Sequence, residues 1–226
     1  MLAYKPPSDV GLDIVYQDES LLIVNKPAGL LSVPGRGTDK ADSLISRMLV
    51  ARPDAQVVHR LDMSTSGLML LARGAEMQRR LSAMFRERRV AKRYVAMVAG
   101  GKVAAAGEVD LPIGRDWPNR PRQKVDVAEG KPSLTRYRLL GLENPRNNPH
   151  FIHRSEIEAS RVELEPVTGR THQLRVHMSA IGHPILGDLL YGNESGAERL
   201  MLHASRLDFV HPVSGESLSV VCEAPF

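Results

Sequence analysis

Residues 57–88 read VVHRLDMSTSGLMLLARGAEMQRRLSAMFRER, and the apolar pattern changes period partway along them. Leu68 to Ala72 is an uninterrupted apolar run, the signal of a buried strand. From Ala75 to Arg88, Met77, Leu81, Met84 and Phe85 share one helical stripe and leave the arginines to the opposite face. Ahead of the run, Val57 and Val58 lead into a polar connection, His59 to Gly67, bracketed by apolar chain. A strand, a helix and a polar loop carrying a carboxylate thus follow one another within a short span.

Working outward, Leu12 to Val24 alternates around Gln17-Asp18-Glu19-Ser20 as two short strands, and Asn25 to Gly29 is a turn. Ser43 to Ala51 has helical spacing and stops at Pro53. Tyr94 to Ala99 and Arg161 to Glu165 read as strands, Pro112 to Arg122 as an irregular loop with three prolines, and Asn144 to Pro149 as a polar loop. After the turn Pro166 to Gly169, Thr171 is the expected N-cap of a helix through Ile181, closed by Gly182 with Pro184 beyond. Short strands mixed irregularly with three or four helices argue an α+β fold.

A chain of 226 residues is long enough to bury its own core, which excludes small stapled scaffolds. Finding no repeat or linker, we expect a tail over residues 1–11 and one domain over residues 12–226. Cys222 is the single cysteine, so no internal disulfide forms and a reduced, cytoplasmic setting fits best. The N-terminus lacks the apolar stretch of a signal peptide, and no run reaches the length of a membrane span. Ten aromatic residues are too few for rows of base-stacking platforms.

The formal charge is only +4, with a pI near 9.4, but it is unevenly spread. Arg73 to Arg93 carries eight bases against two acids, and Arg115 to Arg138 seven against three. The rest of the chain is net acidic. Either stretch alone reads as a solvated face; together they point to a polyanion such as RNA or DNA.

Two stretches could do chemistry. Asp62 lies in the connection between apolar segments, where functional side chains concentrate, although an acid in a turn is also a common surface feature. In Gly169 to Met178, His172 and His177 are five residues apart, a poor spacing for one metal ion on a helix, and no cysteine or acid completes a zinc set. Phosphate-cradling and nucleophile-elbow patterns are both missing. A non-catalytic RNA-binding protein, or a metal-dependent hydrolase using Asp62, His172 and His177, stand as alternatives.

The string His59-Arg60-Leu61-Asp62 with Thr65-Ser66-Gly67 resembles the signature of the RluA-type pseudouridine synthases. Asn25 to Leu30, Lys92 to Ala96, Gly169 to His177, Gly182 to Asp188 with Tyr191-Gly192, and Leu202 to Ala204 resemble that family's further motifs in order. The likeness runs from about Leu12 to Pro225 and implies the family's catalytic fold, a mixed, mainly antiparallel central sheet with flanking helices.

The resemblance implies that Asp62 is the nucleophile that exchanges the N1 glycosidic bond of uridine for one to C5. Attack at C1′, attack at C6 and a glycal path are all compatible with such a carboxylate. It further implies that Arg175 pairs with the aspartate, that Tyr94 packs on the target base and that Arg60 enters the RNA where the flipped nucleotide leaves. Atoms already present are redistributed, so no cofactor or metal is expected. RNA contacts are expected from His59, Arg88, Arg89 and Lys92, from Arg115, Trp117, Asn119, Arg120, Arg122 and Lys124, and from Arg170, His172, Gln173 and His177.

Residues 116–125 and 130–132 look like the single-domain, dual-specificity branch of the family. That likeness implies 23S rRNA and the tRNA anticodon stem-loop, at its first loop nucleotide, as substrates of a monomer. An N-terminal domain of the S4 type is expected to be missing, leaving recognition to the catalytic domain.

Overall fold

The computed structural model describes residues 4–143, 148–150, 158–192 and 196–226. The chain forms two compact units, Met1–Lys92 with His203–Ala224, and Arg93–Leu202 with Pro225–Phe226. Strands and helices are numbered along the chain.

The first unit contains β1 (Asp13–Gln17), β2 (Leu21–Lys26), α1 (Leu44–Ala51), β3 (Ala55–Val57), β4 (Ser66–Arg73), α2 (Gly74–Arg86), β11 (Leu202–Val210) and β12 (Ser217–Val221). Apolar β4 is central: β2 runs antiparallel along one edge, while β3 and then β11 share the other. The β4 and β11 pairing is parallel, and the rest are antiparallel. Met77, Leu81 and Met84 of α2 pack on Leu68 and Leu70 of β4 and on Leu207 and Phe209 of β11, the stripe expected from their spacing. Ser43 caps α1 in a reciprocal box with Ser46.

At the parallel seam Gly67 has φ 107° and faces Ala204, whose carbonyl oxygen lies 2.3 Å from where a Cβ would stand. Both the backbone angle and the backbone contact exclude a side chain. Gly67→Ala is expected to lower unfolding stability by about 2–4 kcal/mol. Urea titration measures this, and an unshifted midpoint would contradict the seam.

The second unit comprises β5 (Ala91–Ala99, entered from the first unit), β6 (Ala106–Asp110), β7 (Ile113–Arg115), β8 (Gln123–Val125), β9 (Leu134–Glu143), β10 (Ala159–Pro166) and α3 (Gln173–Ala180). Its sheet runs β5-β10-β9-β6, antiparallel throughout. Met97, Val162, Leu164, Leu174 and Met178 belong to its buried core. The α+β reading, with a mainly antiparallel mixed sheet, is thus borne out.

Two local expectations are corrected. The loop expected over residues 112–122 is in part a strand: Ile113–Arg115 forms β7, which pairs with β8 as a hairpin from Ile113↔Val125 to Arg115↔Gln123, and residues 116–122 form the tip. The three prolines fall before β7 or in the tip, where no ladder N–H is needed. Thr171 is not the N-cap of α3: His172 holds that position, in the left-handed conformation at φ 55° and without a side-chain capping bond, and the helix starts at Gln173. Most of the expected loop at 144–149 lies outside the described residues.

Candidate active site

In the first unit, Asp62 sits in the connection from β3 to β4, half-buried, with its backbone carbonyl accepting from Thr65 N–H at 3.1 Å. Both neighbours are fixed. Leu61 exchanges two hydrogen bonds with the Ser32 hydroxyl, donating its N–H at 3.1 Å and accepting at its carbonyl at 2.7 Å. The carbonyl of Met63 accepts from Gly29 N–H at 2.9 Å and from the Lys26 ammonium at 3.1 Å. Lys26 is wholly buried and donates to the carbonyls of Pro27 and Leu30 as well. Carbonyl dipoles thus solvate a charge that burial alone would penalise. The Asn25 to Leu30 turn therefore acts as a clamp on the backbone that carries Asp62.

Arg60, two residues earlier, is exposed and has no carboxylate partner among the described residues. His59, expected as an RNA contact, also has internal partners. Its Nε2 accepts Leu70 N–H at 2.9 Å and its ring stacks on Phe85 at 4.3 Å, so it fastens the loop to β4 and α2. Burial, then the charge of Lys92, push its pKa from 6.5 to about 3.

In the second unit, Arg175 is 5% exposed at its side chain and pairs with Asp188, whose side chain is fully buried. Nε donates to Oδ2 and Nη2 to Oδ1, both at 2.7 Å. Burial raises the pKa of Asp188, but Arg175 and the N–H groups of Leu190 and Tyr191 outweigh it and hold it below the usual value. The guanidinium lies 5.1 Å from the centroid of Tyr191. The Tyr191 hydroxyl bonds His172 Nδ1 at 2.7 Å and accepts Gln123 N–H at 2.7 Å, tying the root of the hairpin to the start of α3.

Sequence reasoning left Asp188 and Tyr191 without a role. The signal for Asp188 is an acid set between Ile185-Leu186 and Leu189-Leu190, since a charge in such a run must be paired if it is buried.

Gln173 and His177, expected as RNA contacts, are buried and engaged in internal ties. Gln173 accepts from Thr168 and from Arg170 N–H, and donates to Leu134 and Thr135. His177 Nε2 faces the carbonyl of Leu111, so it must donate, and Nδ1 must then accept from Thr135. With both ring nitrogens committed, His177 is removed as a metal ligand, which overturns the hydrolase alternative. Burial holds its pKa down.

Because His59 and His177 are held neutral when folded, the unfolded chain binds more protons below its ordinary histidine pKa near 6.5. Stability is expected to be full above that pH and to fall as pH drops towards 3, the folded value for His59. Thermal melts across this range test it, and a flat midpoint would contradict it.

Other expected residues are scattered. Tyr94 is half-buried on β5 opposite Leu164, Arg89 pairs with Glu87 at 2.9 Å, and Arg88 is exposed. Lys92 is half-buried, its pKa lowered by burial and then by Arg88. Arg170 is exposed near the carbonyl of Pro132. Arg115, Trp117, Asn119, Arg120, Arg122 and Lys124 gather at the hairpin.

Residues 20–180 fit the RNA pseudouridylate synthase family, and the chain belongs to it. It is an RluA-type RNA pseudouridine synthase, hence an isomerase. The chain is 48% identical to the "Dual-specificity RNA pseudouridine synthase RluA" of Vibrio parahaemolyticus, over 99% of this chain and 88% of that one. Its likeness to the protein of the same name from Escherichia coli K12 is 46%, over 99% and 98%. "Human RNA Pseudouridylate Synthase Domain Containing 1" is a structural relative with TM-score 0.77 and 34% identity, covering 98% of this chain and 87% of that one. Among the described residues no helix is long and apolar enough to cross a membrane.

Proposed function

We propose that the chain converts uridine to pseudouridine in 23S rRNA and in the anticodon loop of tRNA, acting as a cytoplasmic monomer on a flipped nucleotide. The observation that carries the chemistry is the clamp on both sides of Asp62. A nucleophile must meet one carbon in one orientation, and fixing Leu61 and Met63 provides that.

Asp62 attacks the flipped uridine, the N1–C1′ bond breaks, C1′ rejoins at C5, the bond to Asp62 breaks to return its carboxylate, the C5 proton leaves and N1 takes one up. Arg175 supplies positive charge from a guanidinium that Asp188 holds rigid. Tyr94 packs against the base. Arg60, exposed beside the nucleophile, fills the gap that the extruded nucleotide leaves and so offsets part of the cost of flipping. The curated relatives are named dual-specificity RNA pseudouridine synthases, which supports a reading with two RNA substrates.

Purified protein given a tRNA anticodon stem-loop and a 23S rRNA fragment in EDTA is expected to form pseudouridine in each. Mapping pseudouridines in total RNA from a deletion strain should show loss from both. Loss from only one would refute the dual reading, and a strict need for added metal would refute the mechanism.

A further inference from the structure

Each arginine-rich stretch holds both paired and unpaired bases among the described residues: Arg86 and Arg88 have no carboxylate partner in the first, and Lys124 pairs with Asp126 at 3.3 Å in the second. Around α2, Arg73, Arg79, Arg80 and Arg89 are matched by Asp54, Glu76 and Glu87. At the hairpin, Arg115, Arg120 and Arg122 have no carboxylate partner among the described residues. The neighbouring acid Asp116 is turned to Asn119, whose amide donates to both of its oxygens at 3.0 Å.

Backbone bonds from Asp116 N–H to Arg122, from Asn119 N–H to Asp116 and from Arg122 N–H to Asn119 close the tip on itself. On this rigid loop Trp117 is 55% exposed, with the Arg120 guanidinium 4.0 Å from its ring centroid and that of Arg115 at 5.3 Å. An indole kept in solvent lacks the usual reason for an indole, which is burial. More than half the residue's surface is open to solvent, beside cations with no carboxylate partner among the described residues.

We infer that the β7–β8 tip is a reading head for one unpaired RNA base, which stacks on Trp117 while Arg115 and Arg120 take the flanking phosphates. A planar π-face beside free guanidinium groups suits single-stranded nucleic acid; duplex RNA hides its base faces, and an acidic peptide has no use for the indole. The inference rests on the chain's acting on RNA, and it makes the hairpin a specificity element apart from the chemistry at Asp62.

Trp117 is the only tryptophan, so its emission reports this one position. Titration with a stem-loop RNA is expected to quench it, while a blunt duplex of matched composition and polyglutamate leave it unchanged. By anisotropy of the labelled stem-loop, Trp117→Ala should weaken binding about tenfold and Trp117→Phe should retain most of it. Stem-loop binding with unchanged emission, equal quenching by duplex or polyglutamate, or unaltered affinity of Trp117→Ala would each overturn the inference. A protein that binds no RNA at all would instead remove the functional reading beneath it.

Discussion

Asp62→Asn protein is expected to form no measurable pseudouridine in either RNA, a loss of about 10⁴-fold or more, in line with other enzymes that have lost a nucleophile. The substitution keeps shape and removes only the charge and nucleophilicity. The loop should persist, because the groups that hold it are the Ser32 hydroxyl on Leu61, Lys26 and Gly29 on Met63, and His59 on Leu70. Circular dichroism and RNA binding are therefore to be measured on the same preparation. A folded Asp62→Asn protein retaining more than about a hundredth of wild-type activity would assign the nucleophile elsewhere.

The second large effect is at Arg175. Removing this side chain leaves Asp188 fully buried without its bidentate partner, and an orphaned buried charge costs about 3–5 kcal/mol. Arg175→Ala is thus expected to be both inactive and markedly less stable to urea. A double variant, Arg175→Met with Asp188→Leu, should recover stability towards wild type, since apolar groups of similar size replace buried ion pairs well. It should remain inactive, because the guanidinium is gone. An unchanged urea midpoint for Arg175→Ala would show that the pair does not hold the fold.

How far the sequence could be read follows from what its signals measure. Period is local, so β4, α2, the β1–β2 hairpin and α1 were all legible. The β7–β8 hairpin was hidden by prolines, which mark loops on average but here stand outside the paired residues. At the candidate site the motifs were legible, but the internal ties of their side chains were not. His59, Gln173 and His177 lie in motifs that resemble RNA contacts, yet each is tied to a group remote in sequence or across a turn, such as Leu70, Thr135 and Leu111. Asp188 was visible as an acid among apolar neighbours, but its partner, 13 residues earlier, appears only once α3 is placed.

The hairpin has two mechanical parts with different freedoms. Its tip is closed by bonds among Asp116, Asn119 and Arg122, whereas its root is moored through Gln123 to Tyr191 and thence to His172. Such a division suits interchangeable tooling: a constant shank seated in the body and a bit that can be exchanged. Lineages, or protein engineers, could regrind the bit at Trp117 and Arg120 for a different RNA loop while the shank, and the arginine beside Tyr191, stay in register.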